Sequence, residues 1–165
     1  MQSRLWFLLI FLCSLTLVGC QTTATHYIGA KADDVDVVSL TTGQVEQQRW
    51  EDLYVTVDYS YKRQGNRFDI EGALSFSDSS KINYTQVWDM KLKLFFLDRD
   101  MRVVNYLDIA RTLSANLDDE TRFARTLELK ETVVALTFGY EGSFRDGDPD
   151  GSSSQSVWNL PRTNQ

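Results

Sequence analysis

The sequence is poor in the residues that most often carry chemistry at a protein site. Its 165 residues include only two cysteines and one histidine. Both cysteines, Cys13 and Cys20, lie within the first 20 residues. The rest of the chain therefore has no thiol for a disulfide, a redox pair or a cysteine-ligated metal. Stability must come from a hydrophobic core, for which nine Phe and seven Tyr supply large side chains.

Groups for catalysis and for binding nucleic acid are equally scarce. His26, the only histidine, precedes the patterned part of the chain, so no Ser-His-Asp triad is expected around it. Acidic neighbours such as Glu51 and Asp52 are interpreted as a solvated face, and no Gly-rich phosphate loop is present. The net charge of −6 opposes binding to a phosphate backbone. We expect a protein that is not an enzyme and does not bind nucleic acid.

One long apolar run is present, and it lies at the N-terminus. Arg4 is the only charged residue among the first twenty, and apolar residues follow it almost without interruption to Val18. This is the pattern of a secretory signal, with a short positive region before an apolar one. A membrane-spanning helix is the alternative, but it needs about 20 apolar residues. Ser14 and Thr16 interrupt the run, and no Lys/Arg cluster follows it.

The run ends in Leu17-Val18-Gly19-Cys20, which resembles the lipobox of bacterial lipoproteins. The resemblance implies cleavage before Cys20, diacylglycerol on its thiol and an acyl chain on its new amine. Membrane lipid is then a partner of the chain through acylated Cys20. The residue after the cysteine is Gln21 rather than the Asp that favours inner-membrane retention in enteric bacteria. We therefore expect the periplasmic face of the outer membrane, with the inner membrane or the cell surface as alternatives.

The chain divides into three parts on these expectations. Residues 1–19 are a signal peptide, residues 20–34 are a lipidated N-terminus with a loose tether, and residues 35–165 are one folded domain. Loss of Arg4 with the leader changes the net charge from −6 to −7. The membrane link should therefore be the lipid and not a basic surface.

Alternation of apolar and polar residues dominates the folded part. The odd positions from Leu53 to Tyr61 are all apolar or aromatic, and the turn around Gly65 leads to a second alternating run. Gly72 on the inner side of that run indicates a bulge or a close approach. Residues 77–83 are predicted as a polar loop, and residues 111–120 as a polar segment with room for one helical turn. Further strands are predicted near 35–40, 87–97, 101–109, 123–129, 134–140 and 156–158.

Seven or eight short strands without intervening long helices predict an all-β fold. Turn signals recur at roughly 8–12-residue spacing, as in sandwiches and barrels. We predict an antiparallel β-sandwich of the immunoglobulin-like type, with a small antiparallel β-barrel as the alternative.

One segment matches half of a calcium-binding loop. Asp146, Asp148 and Asp150 alternate and are followed by Gly151, as in the first half of the D-x-D-x-D-G pattern. The twelfth position is Val157, where an EF-hand has Glu, so Glu141 is the candidate for an additional ligand. The alternative is an acidic surface turn, because Asp, Gly, Pro and Ser are common turn residues. The prediction is no cofactor other than Ca²⁺ at this loop.

Three tryptophans, Trp50, Trp88 and Trp158, lie at strand borders and are the candidate binding residues. Aromatic rings there could stack on a sugar or anchor a partner. The alternative is closure of the core. We predict an envelope lipoprotein that displays its domain for interaction with another envelope protein, or for envelope assembly. A ligand- or carbohydrate-binding lipoprotein that uses these tryptophans is the alternative.

Overall fold

The computed structural model describes residues 27–32, 36–146 and 153–162. The predicted signal peptide, Cys20, Asp148 and Asp150 lie outside the described residues. Within these ranges the chain forms nine strands and one short helix. They are β1 (Val38–Ser39), β2 (Val45–Glu51), β3 (Val55–Gln64), β4 (Arg67–Phe76), α1 (Asp78–Asn83), β5 (Gln86–Leu97), β6 (Val103–Asn116), β7 (Thr121–Glu128), β8 (Ala135–Arg145) and β9 (Ser154–Asn159).

The strands form two antiparallel sheets packed face to face. Sheet I has the order β2-β3-β4-β7. Sheet II has the order β6-β5-β8, and both β1 and β9 pair with the other edge of β8. The predicted β-sandwich is confirmed, and the alternative of a closed barrel is wrong because the two sheets remain separate.

Part of the strand pairing agrees with that of immunoglobulin-like sandwiches. Counting from β3, the second strand pairs with the fifth (β4 with β7), and the third pairs with the sixth (β5 with β8). Strands B and E, and C and F, pair in the same way in immunoglobulin-like sandwiches. Here the fourth strand, β6, pairs with β5 in sheet II instead of joining sheet I.

The core lies between the sheets and is built from alternate residues of each strand. Val55, Val57, Tyr59 and Tyr61 of β3 are buried, as the alternation predicts. The inward residues of the other strands of both sheets complete the core; the largest of them are Phe68, Phe96, Phe138, Tyr140 and Phe144. Leu53, predicted to start the inner row of β3, is instead 62% exposed, because β3 begins at Val55.

Gly72 permits a close approach within sheet I. A Cβ atom at this position would lie 2.5 Å from the carbonyl oxygen of Asp58 and 2.8 Å from Cζ of Phe123. The ring of Phe123 therefore occupies the space that a side chain on β4 would otherwise fill. The prediction of a close approach at this glycine is confirmed.

Two polar segments have structures that differ from their predictions. Residues 77–83 contain α1 rather than a loop, because the Ser77 side chain accepts a hydrogen bond from the amide of Ser80 and caps the helix. Residues 111–116, where a helical turn was expected, continue β6 to Asn116. Their partners on β5, from Arg111 with Lys91 to Asn116 with Gln86, supply the ladder hydrogen bonds that polar composition alone does not reveal.

Residues 27–32 are packed against the outer surface of sheet II. The amide of Gly29 donates to the carbonyl of Val103 at 2.8 Å, and the amide of Val103 donates to that of Ala30 at 2.9 Å. Ala30 is 1% and Ala32 is 4% exposed. The prediction of a loose tether over residues 20–34 is therefore wrong for residues 27–32.

A second apolar cluster forms beneath this segment. It lies on the outer side of sheet II, and its buried members are Ala30, Ala32, Phe95, Leu97, Val103 and Ala135. The ring of Tyr27 contacts Phe95 and Tyr106 edge-on, with centroid distances of 5.3 and 5.1 Å. The segment therefore covers apolar side chains that a two-layer sandwich would otherwise leave exposed to water.

Candidate functional site

Two of the three candidate tryptophans lie on one surface, the outer face of sheet II. Trp88 on β5 is paired with Ser143 of β8, and Trp158 on β9 is paired with Glu141 of the same strand. Trp88 is 43% exposed and Trp158 is 69% exposed. Since neighbouring strands are about 4.8 Å apart and the partners of the two tryptophans are two residues apart on β8, the two tryptophan backbones flank β8 at a separation of roughly 12 Å. We name Trp88, Glu141, Ser143, Arg145 and Trp158 the tryptophan face.

A bulge in β5 turns Trp88 outwards. Val87 and Met90 are both fully buried, although strict alternation would place them on opposite faces. Asp89 between them has a φ of 49°, and the pairing register shifts after Trp88. Arg111 donates to the Asp89 carboxylate at 2.7 Å. The extra residue of the bulge thus leaves Trp88 on the outside while Met90 re-enters the core.

Arg145 occupies one side of the Trp88 ring. Its guanidinium carbon lies 4.2 Å from the centroid of the ring, a cation–π contact. This contact fixes the orientation of Trp88. It also covers part of the ring surface on which a ligand would stack.

Trp50, the third candidate, is a core residue. It is 4% exposed, and its ring lies 5.8 Å from that of Phe138 and 6.4 Å from that of Tyr140, between centroids. Trp50 pairs with Val57, so it occupies an inward position of β2. The prediction that Trp50 offers a binding platform is therefore wrong, and its alternative, core closure, describes its position.

Also on the outer face of sheet II, a network of charged side chains from β5, β6 and β8 extends to residues 27–32. The ammonium of Lys93 donates to Asp108 at 2.7 Å and lies 3.4 Å from Glu141, which also pairs with Lys91 at 3.5 Å. Lys93 lies 5.9 Å from the centroid of the Tyr27 ring. Burial opposes its charge, but the hydrogen bond to Asp108 and the negative charges of Asp108 and Glu141 outweigh it and raise the pKa of Lys93. Lys93 thus stays protonated beneath the N-terminal segment.

The loop predicted to bind calcium is described only at its ends. Asp146 directly follows β8, and its amide donates to the carbonyl of Ser153 at 3.2 Å, which closes the loop. Asp148 and Asp150 lie outside the described residues. The carboxylate of Glu141, the candidate additional ligand, is paired with two lysines. In the described ranges, no three His, Cys, Asp or Glu side chains converge to hold a metal ion. Calcium binding remains a prediction.

Sheet I carries a different surface on its own outer face. A shallow trough of about 860 Å³ runs across its four strands. Ser60, Ala73 and Ala124 provide small side chains along it, and the Ser60 hydroxyl donates to Glu71 at 3.4 Å. The trough is bordered by charged residues such as Arg122. The surface is open and broad, and polar and apolar atoms line it in similar proportion.

Ion pairs order the charged side chains beside this trough. Arg49 donates to both carboxylate oxygens of Asp58, at 2.7 and 2.9 Å. Arg67 donates to Asp69 at 2.8 Å, and hydrogen bonds from Arg67 and Thr126 lower the pKa of Asp69. These pairs are exposed, so each contributes little to stability. Their effect is to hold a fixed arrangement of charges on the sheet.

No family model, curated protein or solved structure matches this chain. Its function must therefore be argued from its own residues. Within the part of the chain that the structure describes, no helix combines the length and apolar character needed to cross a bilayer.

A polar contact between the two sheets was missed by the sequence analysis. Asp52, interpreted there as part of a solvated face, accepts hydrogen bonds from the Tyr140 hydroxyl at 2.6 Å and from the Asn159 amide at 3.1 Å. It is partly buried and follows β2, so it fastens sheet I to β8 and β9 of sheet II. Burial, and then the bond to Asp52, raise the pKa of Tyr140.

A comparison of Tyr59→Phe with Tyr140→Phe tests these assignments. The buried hydroxyl of Tyr59 has no hydrogen-bond partner among the described residues, so we expect Tyr59→Phe to leave stability at pH 7 unchanged or raise it by up to about 1 kcal/mol. Tyr140→Phe loses a bond to a carboxylate and should cost about 1–3 kcal/mol. Urea unfolding measures both. Equal costs would contradict the assignment.

The same variants predict a dependence on pH. Burial raises the pKa of Tyr59, whereas an unfolded tyrosine ionises near its ordinary value of 10.0. The buried, neutral Tyr59 therefore makes its full contribution to the free energy of unfolding below about pH 10. This contribution is lost as the pH rises further. Tyr59→Phe should lose less stability than the wild type between pH 9 and about pH 11. An unchanged alkaline slope would mean that Tyr59 ionises as freely in the folded state as in the unfolded state.

Proposed function

We propose that this protein is a non-enzymatic envelope lipoprotein, anchored by acylated Cys20 and facing the periplasm from the outer membrane. The observation that carries the proposal is the lipobox-like Leu17-Val18-Gly19-Cys20 at the end of an apolar run. A triacylated cysteine supplies the several chains that stable anchoring requires. The packed residues 27–32 support it further, because packed structure is then present as close as seven residues after the anchor.

The domain is proposed to act by binding another envelope protein. The trough on sheet I supports this role, because it is broad and shallow and charged residues lie along its border, which corresponds to the polar rim of a protein interface. Small side chains at Ser60, Ala73 and Ala124 let a partner approach the sheet closely. The ion pairs Arg49–Asp58 and Arg67–Asp69 place charges of both signs beside the trough, and a partner with the opposite arrangement of charges could match them.

A non-enzymatic role is supported by the causes of the pKa shifts. Strongly shifted groups mark catalytic sites when they face a cleft together. Among the described residues, the groups with the largest pKa shifts, Tyr59 and Tyr140, are buried between the sheets, and Lys93 belongs to the network under residues 27–32. Each shift has a cause in packing or in a structural ion pair.

Site-directed photo-crosslinking in native envelopes tests the proposal. A photoreactive residue at Ala124, in the trough, should give one dominant adduct with a second protein. The matched control is Arg99, which is exposed in the turn between β5 and β6 and lies away from the trough. Recovery of the protein without an adduct at Ala124, or the same weak adducts at both positions, would count against a partner at this surface.

The alternative, a carbohydrate-binding lipoprotein, retains part of its basis. Trp88 and Trp158 are exposed on one face, whereas Trp50 is buried. Arg145 covers one side of the Trp88 ring, so Trp158 is the freer of the two stacking surfaces. Carbohydrate binding therefore has less support here than partner binding at sheet I.

A further inference from the structure

The tryptophan face and the N-terminal segment share the outer surface of sheet II. Read backwards from Ala32 to Tyr27, the segment runs from Met101 towards Tyr106. That direction leads along the sheet towards the half that carries Trp88 and Trp158, because β6 continues from Tyr106 to the residues that pair with Trp88. The described chain thus enters the domain from the side of the tryptophan face.

The length of chain between the anchor and this face sets a limit on their separation. Seven peptide steps join Cys20 to Tyr27 and span at most about 25 Å when fully extended. On the proposed lipidation of Cys20, on which this inference rests, the membrane surface must lie within that distance of Tyr27. Sheet I is a further 10 Å or so behind sheet II, and its outer side chains point away from Tyr27.

We propose that the tryptophan face rests on the lipid surface to which the protein is anchored, with Trp88 and Trp158 at the level of the headgroups. Tryptophan is enriched at membrane interfaces because its ring is apolar while its N–H remains polar. Trp158 is 69% exposed in the domain by itself, and contact with the membrane would cover this exposed ring. The trough of sheet I then faces away from the bilayer and stays accessible to a partner.

Charge around the face is compatible with this contact. Lys91, Arg111 and Arg145 surround the tryptophans, and the nearby acids Asp89 and Glu141 are both in ion pairs with basic residues. Because the exposed Asp146 directly follows Arg145, three basic and three acidic residues surround the tryptophans, and the surface is close to neutral although the whole chain has a net charge of −6. Headgroup phosphates can approach it without the repulsion that the overall composition predicts.

Quenching by brominated lipid tests the orientation. The full-length lipidated protein is reconstituted in phosphatidylethanolamine and phosphatidylglycerol vesicles, with or without bromine on the acyl chains. After removal of the leader with Trp6, three tryptophans remain. We expect bromination to reduce the emission of the wild type. The W88F/W158F variant, in which only the buried Trp50 remains, should show no loss, and single variants assign the effect to each ring.

Flotation of each sample with the vesicles is measured first. It tests the lipid anchor, and quenching then tests the orientation, so that the two hypotheses can be rejected independently. A protein that floats, but whose wild-type quenching is no greater than that of W88F/W158F, overturns the inference and leaves the lipid anchor intact. A protein that does not float overturns both. Addition of peptidoglycan-derived oligosaccharides provides the third arm. A spectral change with the glycan, and none with bromination, would assign the face to sugar and overturn the membrane contact.

Discussion

Replacement of Cys20 by serine is expected to abolish the mature, lipid-anchored form of the protein completely, and with it the protein's presence in the outer-membrane fraction. Acyl chains contribute about 0.8 kcal/mol per buried CH₂ group, so on the proposed lipidation the lipid would supply nearly all of the membrane affinity. Serine has no thiol to receive diacylglycerol, and cleavage before residue 20 follows that step in lipoproteins. The uncleaved precursor should accumulate in the inner-membrane fraction, held there by its apolar leader, and metabolically supplied radioactive palmitate should not label it. Fractionation, gel mobility and labelling together measure the effect.

Cys13→Ser is the matched control for this experiment. Cys13 is the other cysteine of the chain and lies inside the predicted leader, so its replacement should leave cleavage, labelling and anchoring unchanged. Membrane association that survives Cys20→Ser in mature, unlabelled protein would show that another feature holds the chain at the membrane.

The largest effect on stability is expected from Phe144→Ala. Phe144 is fully buried on β8, and its ring centroid lies 4.9 Å from that of Tyr84, 5.7 Å from that of Tyr54 and 5.8 Å from that of Phe76. Removal of a ring from such a cluster costs about 3–5 kcal/mol, through lost burial and the cavity that remains. The total free energy of unfolding of a domain of this size is about 5–15 kcal/mol, so this loss is a large part of it. Urea unfolding should show a large decrease in the midpoint.

Ile82→Ala in α1 is the control for this variant. Ile82 is 82% exposed, so its truncation should change stability by no more than about 0.5 kcal/mol. If Phe144→Ala cost less than about 1 kcal/mol, the dense aromatic packing at this end of the sandwich would be contradicted.

The sheet architecture was predictable from the sequence because alternation is a direct consequence of strand geometry. The buried positions of β3, from Val55 to Tyr61, and of β4, from Phe68 to Phe76, follow the apolar residues of their sequences. Gly72 marked a close contact, since only glycine leaves room for Phe123 there. These features depend on local periodicity and need no knowledge of distant partners.

Irregular pairing was harder to predict because a bulge leaves no simple signal in composition. Asp89 adds one residue to β5 and reverses the alternation around it. The pair β5–β6 also shifts register between Leu92 and Lys93, which lets both Ile109 and Ala110 be buried. The residues at the end of β6 are polar, and the sequence analysis interpreted them as non-strand for that reason. Tertiary pairing, rather than propensity, decides the conformation there.

The covered outer surface of sheet II had one signal that the sequence analysis did not use. Residues 94–97 are four consecutive apolar residues in β5, so both faces of the strand must be buried at that end. Leu94 and Phe96 face sheet I, while Phe95 and Leu97 need another cover. Residues 27–32 provide it. The run indicates that a cover exists, but only the fold identifies the segment that supplies it.

The candidate site was predictable only in part. Trp88 and Trp158 were singled out from their positions at strand borders, but the sequence contained no indication that they lie on the same face. Trp50 had the same kind of position and is buried, because its pairing with Val57 turns it inwards. Exposure of a border residue depends on the partner strand, which local sequence does not specify.

The mass of the mature N-terminus tests the central claim of a lipid anchor most directly. The protein is purified from membranes with detergent and digested, and the N-terminal peptide is analysed by mass spectrometry. We predict a peptide that starts at Cys20 and carries diacylglyceryl and one further acyl chain. A peptide that starts elsewhere, or an unmodified Cys20 in the membrane-bound protein, would contradict the account.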